Sequence, residues 1–115
     1  MHRLAVRVAL LGTVAALAAP GLASAGTRGD TLIGTVGPGF TISMNKTTVK
    51  AGTYTITIHD KSNIHNFHLT GPGVNKRTSV PRLGTTTWTA KLVKGTYRFV
   101  CDPHKTIMKG VLKIT

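Results

Sequence analysis

The sequence predicts an all-β domain: a two-sheet Greek-key β-sandwich of about seven or eight short strands. Three observations carry that expectation. Beyond Asp30 no stretch repeats its apolar residues at helical spacing. Runs rich in Val, Ile, Thr, Tyr and Phe instead alternate apolar with polar side chains, the period that sends successive residues to opposite faces of a strand. Turn formers such as Gly37-Pro38-Gly39, Gly71-Pro72-Gly73 and Lys94-Gly95 cut those runs into short pieces.

Taken in order, residues 1–25 read as a secretory signal peptide. His2, Arg3 and Arg7 make a basic start, Val8 to Ala19 is an apolar run without charge, and Ala23-Ser24-Ala25 is a small-residue cleavage signature. The run is short for a bilayer span, and no later segment suits one. Gly26 is then the first residue of a mature domain covering 26–115, small and polar as far as Asp30. Thr31 to Val36 is a first strand. Phe40, Ile42 and Met44 alternate with Thr41 and Ser43 in a second, half-buried one, with Met44 in the core. Asn45 to Lys50 is a connection. Tyr54, Ile56 and Ile58 interleave with Thr53, Thr55 and Thr57, the clearest strand pattern in the chain. After a polar loop from Asp60 to Asn63, Ile64 to Thr70 is the next strand, with His65, Phe67 and Leu69 on one face and Asn66 and His68 on the other. Val74 to Pro81 reads as irregular. Thr85 to Leu92 is a strand with Trp88, Ala90 and Leu92 facing inward. Tyr97, Phe99 and Cys101 share a face of the following strand, and Gly110 to Thr115 closes the chain.

Composition narrows the function. The chain carries 15 Lys and Arg against 3 acidic residues, a formal net charge of +12. Without Arg3 and Arg7 the mature domain keeps about +10. Such a charge favours acidic protein partners or anionic surfaces. Aromatic residues make up only 5% of the chain, too few for the stacking platforms of a single-strand nucleic-acid binder. With one cysteine there is no internal disulfide, so a core, with or without a bound metal, must hold the domain. An unpaired cysteine in an exported protein calls for an explanation.

The stretch Cys101-Asp102-Pro103-His104-Lys105-Thr106-Ile107-Met108 supplies one. Thiolate, imidazole and thioether stand within one loop. A Cys with two His and a weak axial Met is the donor set of a type 1 copper site, because thiolate and thioether suit copper(I) while imidazole and thiolate suit copper(II). The second imidazole is best supplied by His65. His68 is the rival, but its opposite strand parity would turn it away, and by itself it reads as a solvent-facing residue. Pro103 stiffens the loop, Asn66 is placed to brace it from the neighbouring segment, and Gly110 lets the chain re-enter a strand close by. A c-type haem is excluded by the missing Cys-x-x-Cys-His. Zinc is disfavoured by a methionine in the set. A multicopper enzyme would need more histidines than His59 and His68, so no enzymatic activity is expected.

Cys101-Asp102-Pro103-His104 followed by Met108-Lys109-Gly110-Val111, with His65-Asn66-Phe67 upstream, resembles the copper motifs of the plastocyanin-like cupredoxins. The resemblance covers the chain from about Phe40 to its end. Lys105, Thr106 and Ile107 separate His104 from Met108, at a point where that family tolerates different loop lengths. The resemblance implies a Greek-key sandwich, one copper ion, and single-electron exchange with redox partner proteins, with His104 as the exposed route for the electron. The expected carrier is an exported monomer, periplasmic, envelope-associated or extracellular, docking on acidic surfaces and not on nucleic acid. Copper delivery or buffering without electron traffic is the alternative.

Overall fold

The computed structural model describes residues 30–115. The signal peptide over 1–25 and the start at Gly26 lie outside the described residues. Nine strands follow in order: β1 Asp30–Val36, β2 Ile42–Met44, β3 Thr48–Val49, β4 Gly52–Asp60, β5 His68–Gly71, β6 Val74–Arg77, β7 Gly84–Leu92, β8 Gly95–Val100 and β9 Lys109–Ile114. The one other element among these residues is a 3-10 turn, Asp102–His104. No helix among them is long and apolar enough to cross a membrane.

The strands form two sheets, β2-β1-β4-β7 and β3-β9-β8-β5-β6. The chain changes sheet five times, the crossover habit of a Greek-key sandwich. Most pairings are antiparallel, but β1 runs parallel to β4 and β3 parallel to β9. Alternation is what closes the core. In β4, Tyr54, Ile56 and Ile58 are buried while the threonines between them are half-exposed. Leu92 joins them from the neighbouring β7, Tyr97, Leu112 and Ile114 come in from the facing sheet, and Phe67 stacks on Phe99 with ring centroids 5.4 Å apart. Trp88 packs against this core from the side, 6.5 Å from Phe67. Tyr97 is fully buried, yet its hydroxyl donates to Pro72 O at 2.8 Å and accepts from Val93 N at 3.0 Å. A buried phenol therefore ties the β5–β6 turn to the β7–β8 turn, its own hydroxyl satisfied as donor and as acceptor.

Four sequence expectations change. Thr48 and Val49, read as connection, make a short edge pairing with β9. Val74 to Arg77, read as irregular, is β6 and forms a hairpin with β5 across Gly71-Pro72-Gly73, Gly73 taking the positive φ of 71° that the turn needs. Phe40 is not in β2 and is not core: it is 55% exposed, because the Gly37-Pro38-Gly39 turn carries the chain out over the end of the sandwich. Finally, β5 starts only at His68, so Ile64 to Phe67 is a loop. His65, Asn66 and Phe67 are all buried, and the expected opposition of His65 and Asn66 does not hold. An arch closing one end of a sandwich can bury consecutive side chains, which a two-sided strand cannot.

Candidate metal centre

Two loops at one end of the sandwich meet over the core. The first leaves β4 at Asp60 and is built by its own short polar side chains. Ser62 N donates to Asp60 Oδ1 at 3.0 Å, and Ile64 N donates to Ser62 Oγ at 3.2 Å. These side-chain turns are what a Asp-x-Ser-x-Ile segment offers in place of a ladder. Lys61 N also bonds Val36 O at 2.9 Å, fixing the loop to β1. Its far end is pinned to the segment after β6: Phe67 N donates to Thr78 Oγ1, and Thr78 N to Phe67 O.

The second loop leaves β8 at Val100. His104 N bonds Cys101 O at 3.0 Å, closing the 3-10 turn in which Pro103 sits early, where its fixed φ suits the turn and its missing N–H costs nothing. That turn folds His104 back over Cys101. Met108 N then bonds His104 O at 2.8 Å, and Cys101 N bonds Met108 O at 3.0 Å, so the loop is closed by its own backbone before β9 begins. Gly110 is needed at that re-entry. The Phe99 ring lies directly over its Cα, in the space a side chain would take.

The result brings three donors together. Cys101 Sγ lies 3.7 Å from His65 Nδ1 and 3.6 Å from His104 Nδ1, and the two nitrogens are 3.2 Å apart. The point equidistant from all three is about 2.0 Å from each, which suits imidazole and thiolate bonds of ~2.0–2.3 Å to a small cation. His65, Cys101 and His104 are the one cluster among the described residues with metal-ligand geometry. Cys101 and His65 are fully buried, and His104 is half-buried. The fourth expected donor, Met108, has a fully buried side chain, and its backbone is bonded to both Cys101 and His104. Soft sulfur with two imidazoles fits copper better than it fits a hard cation.

Asn66 holds the two loops together. Its Nδ2 donates to Thr78 O at 3.1 Å and to Asp102 Oδ2 at 2.8 Å, while its Oδ1 accepts from Asp102 N at 2.7 Å. Its backbone N–H points at Cys101 Sγ, 3.4 Å away. In that contact the sulfur is the acceptor. Burial pushes the Asp102 carboxyl up, but hydrogen bonds from His68 and Asn66, with the charges of His68 and Arg77, outweigh it and hold the group below the usual carboxylate range. His68 does not join the donor cluster. It is also not the solvent-facing residue expected, because it is drawn onto Asp102 and Asn75. His59 stays apart, 3.3 Å from Thr85 Oγ1.

One participant was not legible in the sequence. Phe40 sets its ring edge-on to both imidazoles, with centroids 5.1 Å from His65 and 5.0 Å from His104. As part of an alternating strand, Phe40 is expected on the same face as Ile42 and Met44. The Gly-Pro-Gly turn just before it was the available signal that the strand had not yet begun.

A family model described as copper binding proteins of the plastocyanin/azurin family matches residues 32–115. Among solved structures, reduced rusticyanin is similar to this chain with a TM-score of 0.59 and 21% identity, covering 74% of this chain and 78% of its own. Auracyanin A, a "blue" copper protein from the green thermophilic photosynthetic bacterium Chloroflexus aurantiacus, gives a TM-score of 0.52 and 22% identity over 76% of this chain and all of that one. A chain of a heme-copper terminal oxidase dimer gives 0.54 and 19%, over 76% of this chain and 65% of its own. At these identities the likeness is one of fold. A search of curated proteins returns no match.

Proposed function

Because this chain belongs to the plastocyanin/azurin family of copper-binding proteins, we propose that it is an exported single-electron carrier. In this reading His65, Cys101 and His104 would hold the copper, with Met108 as a further, weak sulfur donor. The observation that carries the proposal is the convergence of one sulfur and two Nδ1 atoms on a point about 2.0 Å from each. Copper bound there supplies a one-electron couple whose two oxidation states accept the same donor set.

The chain's own residues do the rest. Cys101 binds as thiolate, and the Asn66 N–H stabilises that charge. Donation through Nδ1 requires each histidine to keep its proton on Nε2. The hydrogen bonds of Asn66, and those closing Cys101 to Met108, keep the donors in place when the charge at the site changes. Little atomic movement then accompanies each transfer. His104 is the more exposed of the two imidazoles, so it offers the shorter way from the site to a partner. Full burial of His65, Cys101 and Met108 favours carriage over the alternative of delivery, which needs donors that a recipient can reach. The signature of residues 1–25 supports export, and the basic surface supports acidic redox partners.

The test is copper(II) titration of residues 26–115, read by visible absorption and EPR. A single equivalent should give strong thiolate-to-copper absorption, absent in Cys101→Ser. A C101S protein with the wild-type spectrum would remove the thiolate from the site.

A further inference from the structure

The two sheets turn different chemistry outward. On the four-stranded sheet the outward positions are threonines in register. Thr31, Thr55 and Thr89 form one row across β1, β4 and β7, and Thr57 and Thr87 lie in the next. Lys91 is the one Lys or Arg in the strands of that sheet. On the five-stranded sheet, Tyr97, Phe99, Leu112 and Ile114 of β8 and β9 are buried, and Arg98, Lys109, Val111 and Lys113 are exposed between them. Threonine on an exposed sheet face needs no more than strand propensity, whereas lysine is depleted in strands. Nor does a charge on β8 guard an edge, because β8 lies between β9 and β5.

The cations of this flank stand close together. Arg98 is opposite Val111, so Lys109 and Lys113 are both its diagonal neighbours, at about 7–8 Å. Arg77, opposite His68 on β6, extends the same face. No carboxylate answers them. Asp30 and Asp60 belong to the other sheet, and the oxygens of Asp102 are taken by His68 and Asn66. The one ion-pair contact among the described residues is that of His68 with Asp102. Between Arg98 and Lys109 lies a hollow of about 410 Å³, lined also by Val100, Gly110 and Val111. Charge gathered in this way repels itself and weakens the compact state. A layer of negative charge laid against the flank removes that repulsion.

We propose that the outer flank of β8 and β9 is a docking surface for an anionic lipid membrane, on which the protein lies on its side with its metal end free. The chemistry of the two regions separates lipid from protein as the occupant. Protein interfaces are anchored by aromatic and large apolar side chains in a packed centre. The flank exposes none larger than valine, and Phe40, Ile64 and Ile107 are exposed at the metal end instead. Spread cations around a small apolar hollow suit a fluid layer of anionic headgroups, which attracts each Lys or Arg separately. The inference does not depend on copper.

The experiment uses metal-free residues 26–115, which contain both sheets entire. The protein should sediment with vesicles of phosphatidylcholine and phosphatidylglycerol in equal parts and not with phosphatidylcholine alone. Binding should fade as salt rises through about 0.1 M, where the Debye length is about 10 Å. Arg98→Gln with Lys113→Gln should weaken partitioning by about 25-fold, about fivefold per charge. Lys61→Gln with Lys91→Gln makes the same change in net charge away from the flank and should weaken it by less than about threefold. Both proteins should keep the wild-type sheet circular dichroism, and the flank variant should melt no lower than wild type. In wild type, amide NMR with bicelles of the same lipids should shift β8 and β9 and spare β1, β4 and β7. Equal losses in the two variants, equal binding to neutral vesicles, or shifts confined to the metal end would each overturn the inference. Absence of binding to the mixed vesicles overturns it outright, and if polyglutamate then shifts the flank amides the face belongs to an acidic protein partner. None of these outcomes touches the thiolate absorption on which the copper reading stands.

Discussion

At the scale of single residues, Asn66 is where sequence and site meet most closely. One amide side chain makes three hydrogen bonds to partners on two other segments. Truncating it leaves Thr78 O and Asp102 N short of a partner, each costing about 1–3 kcal/mol when buried. Asn66→Ala should therefore lower the stability of the metal-free protein by about 2–4 kcal/mol in chemical denaturation. Asp60 works against stability. Burial raises its carboxyl pKa, and the Ser62 N–H and the charge of His65 only partly offset that. A folded pKa above the unfolded one means the folded state prefers the protonated acid. Its contribution is present at low pH and is lost as pH rises through the raised pKa. Asp60→Asn should then gain on wild type as pH increases from about 3 to 7, and the two denaturation curves should draw together at the acid end. In the proposed copper site Met108 would bear on a different property. Met108→Leu should keep the thiolate absorption and raise the potential, on the order of tens of millivolts, because a donor to copper(II) is lost. An unchanged potential would remove Met108 from the axial position.

At the scale of elements, the metal loop was readable and the strand that should have carried His65 was not. Cys101, His104 and Met108 are neighbours in sequence, and their chemistry announces itself whatever the fold. His65 and Asn66 were legible as a motif, but their setting was not. Alternation suggested a strand from Ile64, whereas bonds from Phe67 and Asn66 to Thr78 pull the segment into an arch. Those partners lie eleven or twelve residues away, and no local pattern announces them. The same blindness hid β6, whose pairing is all with β5. It also hid Phe40, which belongs to the site through space alone. At the start of β9, packing is tight enough to test. A methyl at Gly110 would enter the space of the Phe99 ring, which is itself stacked on Phe67. Gly110→Ala should cost about 1–3 kcal/mol through overpacking, read as a lower melting temperature, with a weakened thiolate band if the loop follows the ring.

For the whole molecule, charge is the dominant feature. Of the three carboxylates, Asp60 is buried and Asp102 is engaged with His68 and Asn66. Asp30, at the beginning of β1, is the exposed one left to interrupt the cationic surface. Association with an acidic partner should be fast at low ionic strength and slow markedly once the Debye length falls to about 10 Å near 0.1 M salt. An on-rate indifferent to salt would argue for apolar docking instead. The overall class was legible because it rests on alternation and turns, both written locally. The order of strands within the sheets was not, because it depends on which edges meet after collapse.

The staple between Asn66 and Asp102 has one more implication. Amides and carbonyls of the chain itself join the two loops that carry the donors. Chelation should accordingly leave the β-sheet circular dichroism intact. A cell short of copper would then accumulate a finished, waiting receptacle instead of a misfolded one, and maturation would reduce to a late loading event.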